Sequence, residues 1–247
     1  MRSKIMEKKV EILGLGVNDV TMEETVTFVA DTVGQGGFAR ILTLNAEMAY
    51  LSYNDSQRKS LVNNAELVTP DGSGIMWAAE RYGQPIRERV SGIDLTERLL
   101  SDSKAKGYKF YCLGAKEEIL EAAVKNMETK YGAYIAGWHH GYFSLEESSD
   151  IAAKIKETGA NILLVAMGFP RQDKWIEDHG KACGVNVAMG IGGSFDVLAG
   201  SVKRAPKIWQ RMKMEWFYRL IKDPRRFKRV LNLPKFMQAV KRDVAKK

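Results

Sequence analysis

Five short segments of this 247-residue chain carry side chains suited to chemistry. Val68-Thr69-Pro70-Asp71-Gly72-Ser73-Gly74 puts a carboxylate between an apolar run and a helix-like stretch. A carboxylate at such a junction can serve as a general base, although a Pro-Asp-Gly turn by itself needs only turn chemistry. In Thr43-Leu44-Asn45-Ala46-Glu47, Thr43 and Asn45 can cap a helix or donate to a ligand hydroxyl or phosphate. Capping is the simpler reading of the local sequence. Arg87-Glu88-Arg89-Val90-Ser91-Gly92 sets cations before a small-residue turn, an arrangement that can hold a phosphate. For Arg87 an exposed surface position explains the sequence equally well. Gly168-Phe169-Pro170-Arg171-Gln172-Asp173 offers both amide functions of Gln172 for a sugar or a base, and Asp173 reads as a helix cap. Gly190-Ile191-Gly192-Gly193-Ser194-Phe195-Asp196 has the glycine content of a phosphate cradle. It matches neither G-x-G-x-x-G nor the P-loop, but it permits close backbone approach to a ligand.

Other chemistries lose support. Only three histidines occur, and there is no H-E-x-x-H, C-x-x-C, G-x-S-x-G or D-x-D. Zinc hydrolysis, α/β-hydrolase chemistry and D-x-D sugar transfer through a metal are therefore not indicated. His139 and His140, before Gly141-Tyr142-Phe143, read as partly buried residues near a turn. Cys112 and Cys183 lie in or beside apolar stretches and read as buried thiols in a reducing, cytoplasmic compartment.

The elements that position these segments follow from apolar patterning. Strand-like runs occur at Val10–Leu15, Arg40–Leu44, Glu66–Val68, Lys109–Leu113, Ile162–Met167 and Val185–Met189. Helix-like stretches occur at Thr21–Val33, Glu47–Val62, Gly74–Tyr82, Asp94–Lys106, Lys116–Lys130, Ser149–Thr158 and Asp173–Cys183. Thr21 with Glu24 three residues on has the pattern of a capping box. Alternation of this kind predicts an α/β fold with a largely parallel sheet. Ligands of such sheets collect at the carboxyl ends of strands, where four of the five segments fall.

Charge divides the chain in two. Residues 203–247 hold sixteen Lys/Arg against three Asp/Glu, a net +13, whereas residues 1–202 carry a net −5. An acidic α/β core, 1–202, and a basic appendage, 203–247, are thus expected. Pro206–Lys222 places Trp209, Met212, Trp216, Phe217, Leu220 and Ile221 along one helical face. Asp223-Pro224 opens a second helix, and Pro234 interrupts it or starts a third segment. So basic a segment seeks a polyanion. No targeting signal and no apolar run of membrane-spanning length is present, so any membrane association is expected to be peripheral.

The order of the motifs is more specific than any one of them. TLNAEM, TPDGSGIMWA, RERVSGIDL, FYCLGAKEE, GFPRQDKW, MGIGGSFDVLAGSVKRAP and EWFYRLIKDPRRFKR follow one another along the chain. Together they resemble the WecG/TagA/CpsF family of bacterial glycosyltransferases over nearly the whole length. Leu44 departs from the proline that some members have there.

That resemblance implies a Rossmann-like core with a basic, amphipathic helical appendage that docks on the membrane and completes the site. It implies inverting transfer from a UDP-sugar to an undecaprenyl-diphosphate-linked sugar, with no metal and no other cofactor. Members use UDP-N-acetylmannosamine for wall teichoic acid or UDP-N-acetylmannosaminuronic acid for enterobacterial common antigen, and others build capsule. The teichoic branch is the expectation here, with transfer of N-acetylmannosaminuronic acid or glucose as alternatives. By position, Asp71 matches the catalytic base, and Thr43, Asn45, Arg89 and Gln172 match donor-site residues. Tyr142, Gly192 and Asp196 match the uridine site, and Arg219, Arg226 and Arg229 match arginines that meet the lipid diphosphate. A homodimer and a place on the inner face of the cytoplasmic membrane accompany this picture. A nucleic-acid-binding protein is the alternative from another class. It is disfavoured because the −5 body offers no second basic face and the tail's aromatic stripe is not an RNA-binding motif.

Overall fold

The computed structural model describes residues 8–203, 206, 209 and 231–246. A small antiparallel hairpin, β1 (Lys9–Ile12) with β2 (Leu15–Asn18), precedes the main sheet. The single strand expected at Val10–Leu15 is split because Leu13 and Gly14 turn through positive φ, 55° and 75°.

Six parallel strands form the sheet: β3 (Ala39–Leu44), β4 (Leu67–Pro70), β5 (Lys109–Gly114), β6 (Tyr134–His139), β7 (Ile162–Ala166) and β8 (Val187–Gly190). Their order is β4-β3-β8-β7-β5-β6. Strands β3, β4, β7 and β8 are buried at every residue, which explains why they read as unbroken apolar runs rather than alternating ones. Edge strand β6 is partly exposed throughout and contains Gly137, Trp138 and His139, so no apolar run marks it in the sequence. Neighbours β5 and β7 send their chains in opposite directions, to β6 at the edge and to β8 inside. A crevice is expected at such a reversal.

Helices cover both faces. They are α1 (Met22–Gly34), α2 (Ala46–Tyr53), α3 (Ser56–Asn63), α4 (Ser73–Arg81), α5 (Gly92–Lys106), α6 (Glu117–Tyr131), α7 (Ser148–Glu157), α8 (Arg171–His179) and the short α9 (Ser194–Leu198). The Thr21–Glu24 capping box at α1 is formed in full. The one helix expected over Glu47–Val62 is two, because Asp55 caps α3 through Arg58 N at 2.9 Å and restarts the chain there. Positive-φ glycines Gly107 and Gly132 close α5 and α6.

The final described helix, α10 (Asn232–Val244), packs on α2 and α4. Its Pro234 lies in the first turn, where a missing N–H costs nothing. Phe236, Ala239 and Val240 join the apolar cluster formed by β1, β2, α2 and α4. Phe236 is fully buried, so its removal would cost roughly 3–5 kcal/mol. Tyr82 ties the same helix down, donating from its hydroxyl to Asp243 Oδ2 at 2.7 Å. The end of the basic tail is therefore part of the core packing. Expected features within residues 210–230, including Arg219, Arg226, Arg229 and the amphipathic helix of Pro206–Lys222, lie outside the described residues.

Candidate active site

Asp71 follows the last residue of β4, and its backbone N–H donates to Leu44 O at 2.8 Å. The ends of β3 and β4 are thereby held side by side. The next segment is pinned to the same corner: Val90 N donates to Pro70 O at 3.0 Å, and Thr69 Oγ1 donates to Val90 O at 3.1 Å. Gly92 then arrives beside Asp71, donating its N–H to Asp71 Oδ2 at a long 3.4 Å. A Cβ on Gly92 would stand 3.1 Å from Thr43 Oγ1, so that position packs directly on Thr43. Thr43 in turn reaches Gly190 O at 3.5 Å, at the end of β8.

From β8 the connection continues to Gln172. A Cβ on Gly190 would lie 2.4 Å from Gln172 Nε2, so glycine is required for this approach. Gln172 is buried, and its Oε1 accepts from Gly168 N and Gly192 N, both at 3.1 Å. Thr43, Asp71, Gln172 and Gly192 thus form one chain of contacts along the carboxyl edge. Gly92 and Gly190 link them.

The other candidates stand differently. Asn45 caps α2, accepting from Met48 N at 3.0 Å, as its local sequence suggests. Arg89 is paired with Asp94 at 3.2 Å, and Ser91 caps the same helix, α5. Arg87 bridges Asp19 and Glu24, at 3.2 and 2.7 Å, and is a structural residue. Burial works to raise Asp19, but hydrogen bonds from the Arg87 backbone N–H and from the Lys8 and Arg87 side chains hold it below its ordinary value, and Arg87 with the Thr21 N–H holds Glu24 low. Tyr142 is 68% exposed on the loop after β6. Asp196 lies in α9, and its backbone oxygen accepts from Ser201 Oγ and Val202 N. His139 and His140 are partly buried at a turn, with His139 edge-on to Phe143.

At the carboxyl ends of β5 and β7 the backbones approach one another closely. Gly114 has φ +128°, and a Cβ there would lie 2.3 Å from Ala166 O. Ala115 N donates to Ala166 O, and Gly141 N donates to Ala115 O, both at 2.9 Å. Sequence reading placed Gly92 in a small-residue turn and gave Gly114 and Gly141 no role, since a lone glycine gives no sign of the backbone it will meet.

Asp173 is the main surprise. It is not a cap: it lies in the first turn of α8, only 5% exposed, with Oδ2 lacking a hydrogen-bond partner. Burial pushes its carboxyl up to about 7, opposed by hydrogen bonding from Gln172, the charge of Arg40 and its own backbone N–H. Arg40 itself pairs with Glu177 at 3.2 Å. Both cysteines are buried, as expected, and burial raises both thiols, Cys183 to about 12.

An open groove of about 250 Å³ begins at Ser73, two residues beyond Asp71. Gly74, Trp77 and Glu80 of α4 line it together with Leu233 and Met237 of α10. Among the described residues no group of three or more His, Cys, Asp or Glu could hold a metal ion. No described helix is long and apolar enough to cross a membrane.

A parallel sheet whose polar loops gather at its carboxyl edge defines a Rossmann-like α/β protein, a class whose ligands usually bind at that edge. More particularly, the chain belongs to the glycosyl transferase WecG/TagA/CpsF family, whose model matches residues 10–247. It is 34% identical over 236 residues to an N-acetylglucosaminyldiphosphoundecaprenol N-acetyl-beta-D-mannosaminyltransferase of Staphylococcus aureus strain MW2. That match covers 94% of this chain and 92% of the relative. The protein of the same name from strain NCTC 8325 matches to the same extent.

Proposed function

We propose that this chain is an inverting, metal-independent glycosyltransferase. It moves N-acetylmannosamine from UDP onto GlcNAc carried by undecaprenyl diphosphate, in synthesis of a surface polymer of the wall teichoic acid type. The carrying observation is the corner where Asp71, Gly92 and Thr43 meet, joined through Gly190 to Gln172 and the β8 glycine loop. Family membership supports the reaction class, and the names of the relatives support the choice of sugar and acceptor.

In this reading Asp71 accepts the proton of the acceptor hydroxyl as its oxygen bonds to the anomeric carbon. The bond from that carbon to the UDP oxygen breaks, and its electron pair leaves with UDP on the opposite face. Configuration therefore inverts. Charge growing on the diphosphate is met by backbone N–H groups of the carboxyl-edge loops and by cations, Arg89 and the tail arginines Arg219, Arg226 and Arg229. Tyr142 and Asp196 take the uridine. The groove beside Ser73 has one apolar wall of Trp77, Leu233 and Met237, which suits the lipid end of the acceptor. The tail's remaining basic residues rest on anionic lipid at the inner face of the cytoplasmic membrane.

A panel of UDP-sugars offered with a prenyl-diphosphate-GlcNAc analogue, with and without EDTA, tests this. Product mass should appear with UDP-N-acetylmannosamine and survive EDTA. Product only from UDP-glucose or UDP-N-acetylmannosaminuronic acid overturns the donor assignment, and loss in EDTA overturns metal independence.

A further inference from the structure

The segment that carries Arg89 is pinned to the end of β4 by the backbone of the next residue. Val90 N donates to Pro70 O at 3.0 Å, and Val90 O accepts from Thr69 Oγ1 at 3.1 Å. The Arg89 side chain leaves this fixed backbone on a long, rotamer-rich stem, which by itself leaves the guanidinium undirected. Asp94, in the first turn of α5, removes that freedom. Its Oδ2 accepts from Arg89 Nη2 at 3.2 Å and from the Ser91 hydroxyl. Ser91 Oγ in turn accepts from Asp94 N at 3.3 Å, the capping bond of α5. The same turn supplies the Gly92 N–H that donates to Asp71 Oδ2 at 3.4 Å. One turn of helix therefore touches both the carboxylate read as the base and the cation read as a donor contact.

We propose that Asp94 is a positioning residue that aims the Arg89 guanidinium at the leaving diphosphate, in fixed relation to Asp71. The diphosphate half of this statement rests on the transferase reading above. Three observations carry it. A guanidinium is planar, so a bond at one amino group restricts the plane in which its remaining N–H groups lie. Arg89 stands two residues before the Ser91 cap of α5, at the helix end whose dipole repels a cation, so helix stability does not account for a cation there. The Arg89 and Asp94 side chains are 32% and 26% exposed. Pairs this open add little to folding, and they stay within reach of a ligand.

Two variants separate positioning from capping. Asp94→Ala removes the acceptor and keeps the backbone N–H that Ser91 caps, whereas Asp94→Glu keeps a carboxylate. NMR relaxation of the Arg89 Nε–Hε group on the full chain, assigned by its loss in Arg89→Lys, needs no donor. The order parameter should fall below about 0.6 in Asp94→Ala and return towards the wild-type value in Asp94→Glu. With UDP-N-acetylmannosamine and a prenyl-diphosphate-GlcNAc analogue, kcat should fall about tenfold in Asp94→Ala, while KM for the UDP-sugar stays within about threefold, because the charge on the leaving group grows only in the transition state. Asp94→Glu should restore most of kcat. In an Arg89→Ala background, Asp94→Ala should lower kcat no further. Should Asp94→Ala fail to fold, Asp94→Asn replaces it. An unchanged Arg89 order parameter in the folded variant overturns the proposal, as do effects that add to those of Arg89→Ala. Faster turnover in Asp94→Ala also overturns it, since Asp94 would then be drawing Arg89 away from the donor. A loosened Arg89 with unchanged kcat overturns its functional half. Failure of the wild-type protein to use any UDP-sugar sinks the transferase reading, and the relaxation experiment still judges whether Asp94 holds Arg89.

Discussion

Asp173 gives this fold a pH dependence opposite to that of an ordinary paired carboxylate. In the unfolded chain its carboxyl ionises near 3.8, and in the folded chain it keeps its proton to about 7 because burial penalises the charge. Between those values the folded state binds more protons than the unfolded state, so stability falls as pH rises. The contribution is fully present below about pH 4 and lost as pH passes about 7. A shift of roughly three units at about 1.4 kcal/mol each is on the order of 4 kcal/mol. Arg40 on β3 opposes the effect, and Glu177 on α8, paired with Arg40, weakens that opposition. Asp173→Asn resembles the protonated form at every pH. Urea unfolding of both proteins between about pH 4 and pH 8 should find them similar at the acid end. At the alkaline end the variant should be more stable, by up to about 4 kcal/mol. A difference that stays flat across the window, or favours wild type increasingly as pH rises, refutes the reasoning.

Further outcomes follow from other positions. Gly114→Ala should fail to fold or lose several kcal/mol in a thermal melt, since its Cβ would meet Ala166 O at 2.3 Å in a positive-φ backbone. Gly132→Ala, also at positive φ but with nothing within 4 Å, should cost only about 1 kcal/mol in the same melt. Thr21→Ala removes the capping hydroxyl of α1 and should cost about 1 kcal/mol by chemical denaturation. Replacing Arg219, Arg226 and Arg229 together by Gln should weaken flotation with anionic liposomes about 100-fold, at about 1 kcal/mol per charge. Deleting residues 203–247 is the poorer test of the tail, because it also strips Phe236 and Val240 from the core.

Much of this architecture was legible before any coordinates. Buried parallel strands such as β3 and β7 announce themselves as apolar runs, and the capping box of α1 is written in Thr21 and Glu24. Strand β6 was not legible, because an exposed edge imposes no apolar pattern on Gly137 and His139. Nor was the break between α2 and α3: Asn54 and Asp55 sit inside a stretch that otherwise scans as one helix. For the site, the sequence placed Asp71, Thr43, Gln172 and Gly192 at strand ends. It put Gly92 and Gly190 in candidate loops without showing that they let Thr43 and Gln172 approach, and it cast Asp173 as a cap. Close approach and burial are tertiary facts, and a single residue type carries no trace of the neighbour it will meet.

The most direct measurement uses purified wild-type protein and Asp71→Asn with UDP-N-acetylmannosamine and a prenyl-diphosphate-GlcNAc analogue, followed by product mass and UDP binding. Wild type should add one N-acetylhexosamine to the analogue with inverted anomeric configuration. Asp71→Asn should bind UDP as before and turn over about 10²–10⁴-fold more slowly, the usual contribution of a positioned general base. Product with retained configuration, or near-normal turnover by Asp71→Asn, would contradict the assignment of Asp71 as the base.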